Sequence, residues 1–409
     1  MRFAPRAPRA RPVVAASLAS LISRVSRVSL VSLAAVGCST SPGYGAADAA
    51  PAPDAATTGP QLPVPTGAPL SWAVDALGPY NVGHRSFDVT YSPPAGPART
   101  VPVELWYPTL DTEGDRPLYG GLIRDPDVIE GARVAPPHEP RGYPVHVYSH
   151  GSAGFAGTSA KMARWFASHG WVYIAPNHVG NLLRDGDKKR PLAISYLRST
   201  DLTAALNAAE RLAPPDPLAG KLLTKRVLLS GHSFGAFSTW ASGGVTFNAK
   251  ELERRCASDE FSVPCSPEDL AVFAKGLNDP RFAALVPMAG GVSDSVADYD
   301  APRRPTLLMS GSADVSGGPI FARTQALDVT WLEFEGGCHQ LFALGGCSTF
   351  EETEGWKLVN VWAFAFGRRT ILGDASARTT EIITGSAPLS GRIRYTHKGT
   401  LAPPTDTPP

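Results

Sequence analysis

Gly231-His232-Ser233-Phe234-Gly235 stands between the apolar run Arg226-Val227-Leu228-Leu229-Ser230 and the stretch Ala236-Phe237-Ser238-Thr239-Trp240-Ala241. The first run has the composition of a buried strand, and the second continues as a helix. A serine between two glycines at such a junction reads as a sharp strand-to-helix turn. Neither flank has room for a Cβ, and the turn lifts the serine hydroxyl above the sheet. Ser233 is therefore the candidate nucleophile.

The sequence on either side alternates strand and helix. Strands are expected over 143–150, 171–176, 282–289, 304–310 and 330–335, and helices over 158–169, 199–212 and 351–366. Apolar strands that barely alternate, separated by helices, indicate an α/β fold with a mostly parallel sheet covered on both faces. Ahead of them, 78–83, 86–91 and 100–107 alternate and suit an antiparallel edge ribbon. The Pro-, Gly- and Asp-rich loop 108–142 is long and is expected to help wall the site. Residues 243–281 are too long for a simple connection and read as a small helical cap, with substrate access and plain packing both open as its role.

A serine hydroxyl needs an imidazole within hydrogen-bond reach and a carboxylate to orient it. Only His339 and His397 follow the turn in sequence, and His397 falls in the tail, so His339, delivered through Gly336-Gly337-Cys338, is the candidate base. Asp314, after the 304–310 strand, is the preferred acid, with Asp294 as the alternative and Asp298 beside it; the competing reading of each is a turn or helix cap. The backbone N–H groups of Phe234 and Ser152 are the expected oxyanion donors. His150, His178 and His232 are read as structural, and Trp240, Trp331, Trp356 and Trp362 as core packing.

The chain has 409 residues and a formal net charge of +1 with its basic residues dispersed, which disfavours nucleic-acid binding. Arginines leading into the apolar run 28–36 read as an export signal too short to span a bilayer. Ala35-Val36-Gly37-Cys38 resembles the lipobox of bacterial lipoproteins, which implies lipidation at Cys38 and a signal over 1–38. Residues 39–69 are Pro/Ala-rich and are expected to be a disordered tether, 70–398 the folded domain, and 399–409 a loose tail. The four remaining cysteines fall into two local pairs, Cys256 with Cys265 and Cys338 with Cys347, expected as disulfides of an exported protein. Their spacing is not that of a metal site, and no cofactor is called for.

Tyr148-Ser149-His150-Gly151, Ser168-His169-Gly170-Trp171, Pro176-Asn177-His178, Lys189-Arg190-Pro191, Gly231 to Gly235, Asp279-Pro280-Arg281 and Gly373-Asp374 resemble the α/β-hydrolases called predicted dienelactone hydrolases, which are similar to plasma-type platelet-activating-factor acetylhydrolases. The resemblance runs over about 78–374. It implies an α/β-hydrolase fold, a serine nucleophile where true dienelactone hydrolases use cysteine, and, from the acetylhydrolase side, the Asp294 position for the acid. Extracellular polyester hydrolases look similar in outline but carry Met where Phe234 stands. The expectation is an exported or lipid-anchored monomeric serine ester hydrolase, placed at the outer membrane, in the periplasm or outside the cell. Its substrate is a small or lipid ester. Lipase, phospholipid acetylhydrolase and polyester activities are the alternatives, and a non-catalytic surface binding lipoprotein is the competing class.

Overall fold

The computed structural model describes residues 59–138, 142–186, 188–343 and 346–400. The signal, Cys38 and most of the tether lie outside the described residues, as does the tail beyond 400.

Ten strands make one sheet: β1 (Asn81–Tyr91), β2 (Arg99–Thr109), β3 (Val128–Glu130), β4 (Tyr143–Ser149), β5 (Val172–Pro176), β6 (Leu222–His232), β7 (Phe282–Met288), β8 (Thr306–Gly311), β9 (Val329–Phe334) and β10 (Ile393–Lys398). Their order across the sheet is β10-β9-β8-β7-β6-β4-β5-β2-β1-β3. From β5 through β4 and β6 to β9 the neighbours are parallel. β2 joins β5 antiparallel, and β10 joins β9 antiparallel. The helices are α1 (Ala160–Ser168), α2 (Ala193–Glu210), α3 (Phe234–Gly243), α4 (Ala249–Cys256), α5 (Pro267–Lys275), α6 (Gly318–Arg323), α7 (Glu352–Leu372) and α8 (Ala377–Ile383).

The pleat explains why the central strands read as unbroken apolar runs. In β5, Val172 and Ile174 join the layer that packs α2 and α3, while Tyr173 and Ala175 join the layer that packs α1 and α7. Successive side chains point to opposite faces and both faces are covered, so every position of β4 and β5 is buried. Trp240 and Trp362 are buried in these layers as expected, Trp356 is buried with the Lys161 ammonium over its ring, and Trp331 is half-buried with its indole N–H donated to Ser310.

Several boundaries differ from the sequence reading. The expected strands over 78–83 and 86–91 are one strand, β1, because Gly83 near its start leaves room for the Tyr107 ring rather than ending the run. Helix α2 begins at Ala193, several residues early, since Pro191 just ahead of it suits a helix start. The expected tether ends sooner: Leu62 donates its N–H to Leu110 O (2.6 Å) and packs with Trp72 beside Tyr80, so 59–69 is docked on the domain. Edge strand β10, which holds His397, lies in what read as the approach to the tail. No helix among the described residues is long and apolar enough to cross a membrane.

The cap is present between α3 and β7. Asn248 caps α4 by accepting from Glu251 N–H, and Ser266 with Asp269 forms a reciprocal capping box on α5. The Cys256–Cys265 disulfide ties the end of α4 to the residue before that cap. Such a short loop is stabilised by about 2–3 kcal/mol on chain-entropy grounds.

Candidate active site

The turn at Ser233 connects β6 directly to α3. Ser233 has φ 58° and ψ −117°, a conformation that L-residues rarely adopt and that costs about 1–3 kcal/mol. Its surroundings hold it there: Ser233 N–H donates to Met288 O (2.9 Å), and Ala236 N–H donates back to Ser233 O (2.9 Å). A Cβ on Gly231 would sit 2.2 Å from Gly235 O, and one on Gly235 would sit 1.9 Å from Ser149 O. Both glycines are therefore required by close backbone approach, as the pentapeptide implied.

Strands β8 and β9 deliver the other two groups at their carboxyl ends, where open parallel sheets place their sites. Asp314 follows β8 in a tight turn whose N–H donates to Gly311 O (3.1 Å). His339 follows β9 and opens a short 3₁₀ turn, His339–Phe342. Ser233 Oγ lies 2.8 Å from His339 Nε2, and His339 Nδ1 lies 2.8 Å from Asp314 Oδ2. The Asp314 side chain is only 10% exposed, so its bond to the imidazole is largely shielded from water. Because Asp314 accepts the Nδ1–H, Nε2 is left free to accept the serine proton.

The structure does not bring Asp294 into this chain. Its carboxylate is 75% exposed and pairs with Arg323 (3.2 Å), and Asp298 accepts the N–H of Asp300. The sequence left Asp294 open because both aspartates follow adjacent strands; only the three-dimensional path of the loops separates them.

Gly151 packs against the turn, a Cβ placed there falling 3.3 Å from Ser233 Cβ, which sets the next residue, Ser152, beside the nucleophile. Among the described residues, no protein acceptor takes the backbone N–H of Ser152 or of Phe234. The buried histidines have other tasks. His232 donates Nε2–H to the carbonyl of His339 (2.9 Å) and so pins the loop that carries the base. Burial first, and then the neighbouring His339, push its pKa down to about 3, so it stays neutral and does not compete as a base. His150 and His178 are fully buried, and burial lowers both well below the usual histidine range.

The Cys338–Cys347 disulfide closes the segment that begins one residue before His339. In front of Ser233 and His339 opens a cleft of about 500 Å³. Phe234 and Phe237 from α3, Ile194 from α2 and Phe261 from the cap give it an apolar wall, and Arg190 and Arg255 stand in its lining. The cap thus reaches the site, whereas no described residue of the 108–142 loop lines the cleft, contrary to expectation. That loop instead runs along the β1 edge, where it forms β3 and a two-stranded ribbon of Leu118–Tyr119 with Ile123–Arg124. Arg190, Arg255 and Phe261 were not singled out from sequence; Arg190 lies in the quoted Lys189-Arg190-Pro191, while nothing in the pattern marks the other two.

No family model and no curated relative matches the chain. Among solved structures it is similar to a ferulic acid esterase from Streptomyces cinnamoneus, with a TM-score of 0.53 and 18% identity, over 77% of this chain and 96% of that one. At that identity the two have an architecture in common and nothing finer. A mostly parallel sheet flanked by helices is the architecture in question, and the chain has the α/β-hydrolase fold.

Proposed function

We propose that this protein is a serine hydrolase of carboxylic esters, working through an acyl-enzyme. The observation that carries the reading is the continuous hydrogen-bonded path from Ser233 Oγ through His339 to Asp314, opening on a cleft of about 500 Å³.

In this reading Ser233 Oγ attacks the ester carbonyl as its proton passes to His339 Nε2. The imidazolium that forms is stabilised by Asp314, which remains ionised. The carbonyl oxygen, now an oxyanion, takes hydrogen bonds from the N–H groups of Phe234 and Ser152; a donor in this position contributes about 3–4 kcal/mol to the barrier reduction. His339 then protonates the leaving alcohol. Water then attacks the acyl carbonyl as His339 accepts its proton, and His339 returns that proton to Ser233 Oγ as the acyl–Oγ bond breaks and the carboxylic acid departs. The phenylalanine-rich wall suits an apolar acyl or alcohol group.

Export fits the two disulfides, which form and persist in oxidising surroundings. Lipidation at Cys38, with the Pro/Ala-rich stretch as a tether to an outer membrane, remains part of the proposal.

The test is a p-nitrophenyl ester series from acetate to palmitate, run on the wild type and on Ser233→Ala. Hydrolysis by the wild type and a fall of about 10⁴-fold or more in the variant support the reading. Equal rates in the two proteins would remove Ser233 from the mechanism.

A further inference from the structure

Behind the oxyanion loop lies a second Ser–His–Asp chain that no substrate can reach. Ser149 Oγ is 2.9 Å from His178 Nε2, and His178 Nδ1 is 2.9 Å from Asp201 Oδ2. Ser149 and His178 are 0% exposed and Asp201 is 1% exposed, so this copy cannot act as a nucleophile. Its bonds have a single consistent direction. Asp201 accepts Nδ1–H of His178, leaving Nε2 to accept from the Ser149 hydroxyl, whose oxygen in turn accepts from Arg198 Nη2 (3.1 Å).

Arg198, on α2, is itself 1% exposed, and no carboxylate among the described residues pairs with it directly. Burying a guanidinium in this way is costly unless every donor is used. Its donors go to the loop and to the turn of the proposed site. Nη2 also donates to the carbonyl of His150. Nη1 donates to Asn181 Oδ1 (2.7 Å), and Asn181 Nδ2 donates to Ser152 Oγ (3.1 Å). Nε donates to Ser238 Oγ (3.2 Å) on α3, and the guanidinium carbon stands 4.7 Å from the centre of the Phe234 ring. One planar group thus contacts the Phe234 ring and reaches Ser152 through Asn181.

We propose that Arg198 is a positioning residue: its fork sets the gap between the Ser152 and Phe234 N–H groups, and it is anchored through Ser149 to the sealed Asp201–His178–Ser149 chain, whose carboxylate is itself paired with Arg99 (3.1 Å). This rests on the ester-hydrolase reading. Lysine in its place keeps the charge but has no planar fork to hold the loop and α3 together.

The experiment compares wild type, Arg198→Lys and Ser152→Ala with p-nitrophenyl acetate. Thermal unfolding checks folding, and amide hydrogen exchange is followed at 150–154. Arg198→Lys is expected to lose about 10²-fold in kcat with KM changed by less than about threefold, and to exchange faster at Ser152. Added guanidinium should restore part of the rate to Arg198→Ala and none to the wild type. A folded Arg198→Lys with wild-type kcat and exchange overturns the proposal. Should the Arg198 variants fail to fold, Ser152→Ala decides, because Ser152 is exposed and its hydroxyl takes the far end of the same chain. A kcat lowered about fivefold and faster exchange at the loop support the proposal, and no change in either overturns it. If the wild type hydrolyses no ester, the ester-hydrolase reading fails separately, and the exchange data alone decide the positioning role.

Discussion

Asp314 and His339 sit on turns that leave adjacent parallel strands, 25 positions apart in sequence, and meet through a 2.8 Å hydrogen bond. Asp314→Asn would keep the shape and donate to Nδ1 of the imidazole instead of accepting from it, leaving the ring proton on Nε2, which then cannot accept from Ser233. The expected loss in kcat is about 10³–10⁴-fold with little change in KM. Asp294→Asn is expected to leave kcat within about twofold, since its exposed carboxylate faces Arg323. Steady-state kinetics of the two variants decide between the acids; a larger loss in Asp294→Asn would reverse the assignment.

The two disulfides should have different kinetic signatures. Cys338 is covalently next to His339, so Cys338→Ser with Cys347→Ser loosens the loop that carries the base and should lower kcat. Cys256 and Cys265 hold the cap, which contributes Phe261 and Arg255 to the cleft, so their removal should act mainly on KM. Each loss is expected to cost about 2–3 kcal/mol of stability, read from chemical denaturation. Identical kcat and KM changes in the two double variants would refute the division.

A buried histidine far from the cleft predicts how stability varies with pH. His84 is 5% exposed, with Nδ1 2.5 Å from Glu130 and Nε2 3.4 Å from Glu104. Burial works against its charge, but the two carboxylates outweigh it and raise the pKa to about 8. A folded pKa above the unfolded value of about 6.5 means the stabilisation is complete below pH 6.5 and is lost as pH rises through 8. The shift corresponds to about 2 kcal/mol. Denaturation midpoints should fall between pH 6.5 and 9 in the wild type, and His84→Gln should flatten that slope; an unchanged slope in the variant would contradict the assignment.

Phe261 is the cap side chain that separates the two roles left open for the insertion. Phe261→Ala enlarges the apolar wall and should shift preference toward longer acyl chains, with kcat for acetate altered less than about threefold. A chain-length profile that does not move would leave the cap a packing element.

The fold was legible in the sequence because the central strands are buried on both faces and so read as apolar runs, and because Gly231 and Gly235 have one tight backbone use. The Ser233–His339 pairing followed from chain order, since few histidines remain after the turn. The sequence favours Asp314 as the acid but leaves Asp294 open, because both follow adjacent strands and differ only in where their loops go. Arg198 escaped notice for a different reason. A single arginine in a helix otherwise rich in alanine and leucine looks like a solvated residue, and only the packing of α2 against the loop at His150 shows it to be sealed inside. Strand β10 was missed because its alternation is that of a half-exposed edge, a weaker signal than a continuous apolar run.

The central claim is that the Ser233 hydroxyl is activated and open to an electrophile. Treating the folded protein with a fluorophosphonate and mapping the adduct by peptide mass spectrometry tests it directly. The account predicts one phosphonyl group, located on Ser233, and no adduct in Ser233→Ala. An unmodified wild type, or a label that persists when Ser233 is replaced, would contradict it.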